Sequence, residues 1–247
     1  MKTYGIIGYP LSHSFSPKYF TEKFKKEGIV NAEYKAFELK TIQELPQIIK
    51  ENPALCGLNV TIPYKEMVIP VLDELDETAK AVGAVNTIKI DINNSKLTGY
   101  NTDVYGFQKS LEPHLKPHHA NALILGTGGA AKAVAYVLGK LNINFRMVSR
   151  SPRQIYEMPY QILNQQLMQL HQIIINTTPL GMSPKTDEYP PILYEYLTEK
   201  HLLYDLIYNP EKTLFLKMGE EKGASIINGQ QMLEFQAEKS WEIWNND

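Results

Sequence analysis

Ala122-Leu-Ile-Leu125 runs straight into Gly126-Thr127-Gly128-Gly129-Ala130-Ala131. A helical pattern from Ala130 to Leu141 follows, then a second apolar segment from Phe145 to Val148. A strand that feeds a glycine turn, a helix and another strand commits a chain to a parallel sheet, because a parallel neighbour is reached only through a crossover. The spacing is G-x-G-x-x-A. The first glycine permits the tight turn, the second lets backbone approach a pyrophosphate, and the small third residue lets helix and strand pack closely. The helix start offers unpaired N–H groups and a partial positive charge to phosphate. A tight turn that binds nothing is the bland alternative; the flanking strands and helix favour a dinucleotide.

The end of the next strand indicates which dinucleotide. An NAD site wants Asp or Glu there to hold the ribose 2′-hydroxyl. This chain has Val148-Ser149-Arg150-Ser151 instead. A guanidinium binds phosphate oxygens as a fork and serines add donors, so the segment suits the 2′-phosphate of NADP.

The rest of the chain keeps the same alternation of short apolar segments and helical patterns, the rhythm of a mostly parallel sheet covered by helices. Strands are expected at Tyr4 to Ile7, Leu55 to Thr61, Val85 to Asp91 (paired with Lys96 to Thr98 through an Asn93-Asn94-Ser95 turn), Ile173 to Asn176, Leu202 to Leu206 and Ala224 to Ile227. A helix is expected from about Pro17 with Ser16 as its N-cap, and Thr41 with Glu44 has capping-box spacing. A last helix near Gly229 places Leu233, Ala237, Trp241 and Trp244 on one stripe. The texture changes around Pro113 and Pro117, which marks a second domain beginning between Asp103 and Asn121.

Composition excludes several classes of function. The 247 residues carry 25 Lys and Arg against 27 Asp and Glu, a net charge of −2, which argues against a nucleic-acid clamp or a membrane-surface binder. No apolar run could span a bilayer. Cys56 is the only cysteine, and the six histidines show no zinc-ligand spacing, so neither a disulfide nor a metal is expected. The N-terminus lacks the apolar stretch of a signal peptide, and the expectation is a cytoplasmic protein.

Four polar clusters fall where strands end. Ser14 and Ser16, two apart at a helix start, suit a carboxylate on that helix N-terminus. Asn59-Val60-Thr61 projects Asn59 and Thr61 on one face, and Lys65 follows at a helix start, where its charge opposes the dipole. Gly83-Ala84-Val85-Asn86-Thr87 puts Asn86 at a strand start. Gly99-Tyr100-Asn101-Thr102-Asp103 puts Asp103 near a helix start, with N-capping as its bland alternative.

Taken in order, these clusters with the glycine turn, Ser149-Arg-Ser151, Asn176-Thr-Thr-Pro-Leu-Gly-Met182, Tyr204-Asp-Leu-Ile-Tyr208 and Met232-Leu-Glu-Phe-Gln236-Ala resemble shikimate dehydrogenase over nearly the whole chain. The resemblance implies a two-domain α/β fold with a cleft between an N-terminal substrate domain (1–102, completed by the C-terminal helix 229–247) and a Rossmann NADP-binding domain (103–228). It implies reversible NADPH-dependent reduction of 3-dehydroshikimate to shikimate, on the route to chorismate and the aromatic amino acids. Ser14, Ser16 and Tyr208 would hold the substrate carboxylate; Thr61, Asn86, Asp103 and Gln236 the ring hydroxyls. Lys65 and Asp103 would be the catalytic pair, with Lys65 either passing the proton or orienting and polarising the substrate. Gly126, Thr127, Gly128, Gly129 and Ala130 would carry the pyrophosphate, and Ser149, Arg150 and Ser151 the 2′-phosphate. Thr177, Thr178, Gly181, Met182, Gly229 and Met232 would line the nicotinamide end. Gly99 and Gly229 stand near expected hinges. The implied partners are small molecules only, with no nucleic acid and no membrane, acting as a monomer or homodimer. The alternatives are a relative accepting quinate or NAD, a two-domain methylene-folate dehydrogenase, and a non-catalytic sensor, which would be free to lose the Lys65 and Asp103 that this chain keeps.

Overall fold

The computed structural model describes residues 1–11, 14–94 and 96–246. The chain divides into two compact units, Met1–Thr102 with Ala237–Asp247, and Asp103–Gln236. Both are α/β.

The first unit is built on strands β1 (Lys2–Gly8), β2 (Ala32–Glu38), β3 (Leu55–Val60), β4 (Glu74–Leu75), β5 (Thr87–Ile90) and β6 (Leu97–Tyr100), in the order β2-β1-β3-β5-β6-β4. β1 pairs in parallel with β2 and β3, whereas β5 is antiparallel to both β3 and β6. β4 pairs in parallel with β6, so three of the five pairings are parallel and the sheet is mixed. The short connection after Asp91 leaves β6 no route but a hairpin; Ser95, expected in that turn, lies outside the described residues. Buried on both faces, β1 and β3 read as near-continuous apolar runs. One face packs Ile7, Leu58 and Ile88 against Leu45 and Tyr64, and the other packs Tyr4 against Phe20, Phe24 and Trp244.

Helix α1 spans Phe15–Lys26 with Ser14 at the N-cap. Ser16 is therefore not the cap but a buried residue of the first turn; both serines suit a cap, and the chain turns at the earlier one. The capping box at Thr41 is present, with the Thr41 N–H donating to Glu44 Oε1 at 2.8 Å, and its short turn runs into α2 (Leu45–Glu51). Helix α3 (Tyr64–Met67) is one turn long, so the unfavourable dipole expected at Lys65 is slight. Helix α4 (Glu77–Val82) is capped by Asp76, whose carboxylate accepts from the Ala79 N–H at 2.8 Å. Gly99 lies within β6, paired on both sides, and a Cβ there would meet Leu72, Leu75 and Val85 within 3 Å. It serves packing, not bending.

The second unit opens with α5 (Thr102–Leu111), the helix at the boundary of the two units. It holds strands β7 (Asn121–Leu125), β8 (Asn144–Ser149), β9 (Glu157–Pro159), β10 (Ile173–Asn176), β11 (Leu202–Asp205) and β12 (Ser225–Ile227). Helices α6 (Gly129–Lys140), α7 (Gln165–Leu170) and α8 (Leu214–Glu220) lie among them. All pairings are parallel, in the order β12-β11-β10-β7-β8-β9. Numbered from β7, that is the 3-2-1-4-5-6 order of a dinucleotide-binding sheet, which reverses direction between β7 and β10.

The last helix, α9 (Gln230–Asn245), is divided between the units after Gln236, within the helix, whereas the expected boundary at 228/229 lies ahead of it. Its first turns lie so close to α5 that a Cβ on Gly106 would fall 2.4 Å from the Met232 carbonyl. Its end lies on the first sheet, where a Cβ on Gly57 would fall 2.3 Å from the Trp244 ring. The buried stripe there is Ala237, Ser240 and Trp244, with Trp241 only half-buried. A serine thus takes a place that the apolar pattern assigned elsewhere.

Candidate active site

In the second unit the glycine turn leaves the end of β7 at the point where the strand order reverses, the position where open α/β sheets bind ligands. Gly126 has φ +116°, and a Cβ there would meet Thr177 Oγ1 at 2.5 Å, so only glycine fits. Gly128 caps α6 and a Cβ on it would meet nothing within 4 Å, which leaves the helix N-terminus open to a phosphate. Ala131 is fully buried, the close helix–strand packing that the third small residue allows. Thr127 completes the turn, and Gly129 and Ala130 are the first residues of α6. On the neighbouring strand, Ser149 ends β8, its Oγ accepts the Ser151 N–H at 3.2 Å, and Arg150 and Ser151 are exposed. These residues fit a dinucleotide carrying a 2′-phosphate.

The loop after β10 is shaped by its own polar groups. Thr177 Oγ1 donates to the Leu125 carbonyl at 2.7 Å, and Thr178 Oγ1 donates to Asn176 Oδ1 at 2.6 Å. These hydroxyls hold the loop, so what Thr177 and Thr178 offer a ligand is mainly backbone. Gly181 has φ +98° and Met182 is exposed. Asn176 in turn donates to Asp205 at 3.1 Å, and Asp205 also accepts from Thr213 Oγ1 at 2.6 Å and the Ile207 N–H at 3.0 Å. Asp205 is fully buried, and burial pushes its carboxyl up to about 7 against those three donors. Nothing in the sequence marks Asp205, because a strand-end aspartate does not announce its burial. Burial also raises the Tyr208 hydroxyl, which is half-buried. Gly229 can carry no side chain, since a Cβ would lie 2.0 Å from the Leu206 carbonyl. Met232 and Gln236 are buried on α9, and Asp103 is buried in the first turn of α5, past the N-cap position.

In the first unit, topology gathers the other predicted residues at one end of the sheet. Ser14 and Ser16 follow β1, Thr61 and Lys65 follow β3, and Asn86 precedes the antiparallel β5. The Asn86 carbonyl accepts the Val60 N–H at 2.8 Å, and the Asn86 N–H donates to Tyr100 at 3.0 Å. Thr61 sits tight against Gly8, where a Cβ would meet its methyl at 2.4 Å. The turn bearing Lys65 is pinned by Tyr64, whose hydroxyl donates to the Leu39 carbonyl at 2.6 Å. Ser12 and His13 of the motif lie outside the described residues.

Asn86 is almost fully buried and its amide is oriented. Oδ1 accepts the Thr102 N–H at 2.7 Å, and Nδ2 donates to Thr102 Oγ1 at 3.0 Å. Asn59, expected to project beside Thr61, instead turns inward, accepting from Tyr34 at 2.7 Å and donating to Ser240 at 3.0 Å. Burial pushes the Tyr34 hydroxyl well above the usual phenol range, opposed by the Ser16 hydroxyl.

A family model described as the shikimate dehydrogenase substrate binding domain matches residues 6–88. A shikimate dehydrogenase (NADP(+)) from Methanococcus aeolicus is 38% identical, over 98% of this chain and 91% of its own. The chain belongs to the shikimate dehydrogenase family. That makes it an NADP-dependent oxidoreductase on the mixed α/β fold described above. Solved structures agree. The family member from Thermus thermophilus, in complex with NADP(H) and shikimate, matches with TM-score 0.86 and 28% identity over 99% of this chain and 94% of its own. A quinate dehydrogenase from Corynebacterium glutamicum in complex with NAD matches with TM-score 0.87 at 25% identity, over 99% and 93% of the two chains. Fold likeness therefore does not separate shikimate from quinate. Among the described residues, no helix is long and apolar enough to cross a membrane, and no group of three or more His, Cys, Asp or Glu is placed to hold a metal ion.

Proposed function

We propose that this chain interconverts 3-dehydroshikimate and shikimate with NADP(H), in the cytoplasm, as a monomer or homodimer. The observation that carries the reading is the convergence of Ser14, Ser16, Thr61, Lys65 and Asn86 on one end of the first sheet. In this reading residues 1–102 and the C-terminal helix 229–247 bind substrate, and residues 103–228 hold the dinucleotide.

Bound NADPH supplies the hydride. The protein's part is to bind, orient and handle the proton. Ser14 and Ser16 donate to the substrate carboxylate, with Tyr208. Thr61, Asn86, Asp103 and Gln236 pair with ring hydroxyls, so an analogue lacking one leaves a polar group unpaired. Asn86 Oδ1 accepts from the Thr102 N–H and the Thr87 hydroxyl, whereas Nδ2 has two N–H groups and gives one to Thr102 Oγ1, so in this reading Nδ2 is the donor to a hydroxyl oxygen. Lys65 Nζ stands in the proton role: it passes a proton to the ketone oxygen as that oxygen gains charge, and its own charge stabilises the developing alkoxide. Asp103 is its partner. The backbone from Gly126 to Ala130 takes the pyrophosphate and Ser149 to Ser151 the 2′-phosphate. Thr177, Thr178, Gly181, Met182, Gly229 and Met232 enclose the nicotinamide.

The test is NADPH formation from shikimate with NADP, repeated with quinate and with NAD. Turnover confined to the shikimate–NADP pair is expected. Equal turnover with quinate or NAD would move the chain to a broader-specificity relative, and NADP binding without turnover on any pair would make it a sensor.

A further inference from the structure

Beneath Asn86 lies a cluster of neutral polar groups. Ser240 Oγ accepts from Asn59 Nδ2 at 3.0 Å and pairs with Thr87 Oγ1 at 2.8 Å and Thr102 Oγ1 at 3.2 Å. Thr87 Oγ1 also donates to Asn86 Oδ1 at 3.2 Å. Ser240 and Thr87 are completely buried, and Asn59, Asn86 and Thr102 nearly so. The placement follows from the geometry of helix on strand. Trp244 sits at Gly57, and Ser240, one turn earlier, sits at Asn59, two residues along β3. One helical turn and two strand residues span nearly the same distance, roughly 6 Å, so successive turns of the helix register with alternate residues of the strand.

We propose that Ser240 is a positioning residue for substrate recognition: through Thr87 and Thr102 it holds the Asn86 amide in the one orientation that turns its oxygen to the Thr102 N–H and sets Nδ2, which gives one N–H to Thr102 Oγ1, as the donor to a ring hydroxyl. A side-chain amide has two nearly isosteric orientations, and only its hydrogen-bond partners choose between them. Asn86 carries no charge that could do so. Ser240 supplies the far end of the cluster from the C-terminal helix, which gives that helix's return to the first sheet a role in recognition as well as in packing. The proposal rests on Asn86 as a ligand for a substrate hydroxyl, the reading given above.

The experiment compares Ser240→Ala, Thr87→Val and, as a control, Ser110→Ala. Ser110 is an equally buried hydroxyl, bonded to Tyr204 at 2.7 Å within the second unit. Amide hydrogen exchange at Thr102 is read alongside steady-state kinetics. In Ser240→Ala and Thr87→Val, exchange at the Thr102 N–H rises about tenfold, and KM for shikimate rises about tenfold. Turnover and KM for NADP stay within about twofold, as expected when only ground-state binding is lost. Ser110→Ala lowers the urea midpoint and moves neither Thr102 exchange nor KM. Adding Ser240→Ala to Asn86→Ala raises KM no further, because Ser240 acts through Asn86. Unchanged exchange at Thr102 would overturn the positioning, and so would effects on KM that multiply in the double variant. Faster exchange with no turnover of shikimate by the unmutated chain would leave the positioning standing and remove the reading of function.

Discussion

The two units bury polar groups at their strand ends in opposite ways. In the first, Asn59, Asn86, Thr87, Thr102 and Ser240 are neutral and hydrogen-bond one another, so these five groups orient one another without a charge of their own. In the second, the comparable place holds Asp205, a buried carboxyl served by three donors. The same contrast extends to the groups proposed to face ligands. The first unit gathers side chains from well-separated segments, whereas the second offers backbone, in a turn where a side chain at Gly126 would displace Thr177. Recognition by side chains can be tuned one hydroxyl at a time. Recognition by backbone holds a fixed shape and leaves selectivity to a few side chains, the role proposed for Arg150.

Substitutions can break this division, and the largest effect belongs to the proton role. Lys65→Ala is expected to lower turnover by roughly 10²–10⁴-fold while KM for shikimate changes only a few-fold. A comparable loss in KM alone would make Lys65 a binding residue like its neighbours. Next is the turn. Gly126→Val places a branched side chain at φ +116° and within 2.5 Å of Thr177 Oγ1, and KM for NADP is expected to rise at least about tenfold, with KM for shikimate unmoved. An effect on shikimate alone would mean that the turn does not serve the dinucleotide.

The buried carboxyl gives the second unit a pH dependence that the first unit's cluster lacks. The Asp205 carboxyl is raised from 3.8 to about 7, so the folded chain holds this proton more tightly than the unfolded one. Its contribution to stability is full below 3.8 and is lost as pH rises through about 7. Measured by urea unfolding, the stability of Asp205→Asn relative to the unmutated chain is expected to improve across that window, by on the order of 4 kcal/mol. A flat difference would show that Asp205 is ionised at no cost. The smallest effect is on the acid side. Burial lowers the imidazoles of His119 and His171 below the usual 6.5. The stability they hold is present above 6.5 and is lost as pH falls through their folded-state values. His171→Gln should flatten that acid limb modestly.

How much is legible in the sequence follows the same line. The β7–turn–α6 unit is local: strand, glycines and helix are adjacent in the chain, and each announces itself by apolar run, flexibility or periodicity. The hairpin of β5 and β6 and the capping box at Thr41 are local too. The start of α1 differs from the expected one by two residues because Ser14 and Ser16 both suit a cap. Strand β2 escapes a sequence reading, since it is an edge strand with a partly exposed pattern that lacks a clean alternation. The polar cluster is invisible for a deeper reason. Its members come from β3, β5, α5 and α9, and Ser240 is a polar residue on a face assigned by its apolar neighbours. The substrate-side roles become readable through the ordered motifs of a family, whereas the glycine turn can be argued from its own residues.

The division between the units is tested most directly by a two-substrate kinetic matrix for Arg150→Ala and Asn86→Ala, with each KM measured at saturating partner. Arg150→Ala is expected to raise KM for NADP and leave KM for shikimate in place, and Asn86→Ala to do the reverse. If either substitution moved the two constants together, or moved the other one, the assignment of side-chain recognition to the first unit and dinucleotide recognition to the second would be contradicted.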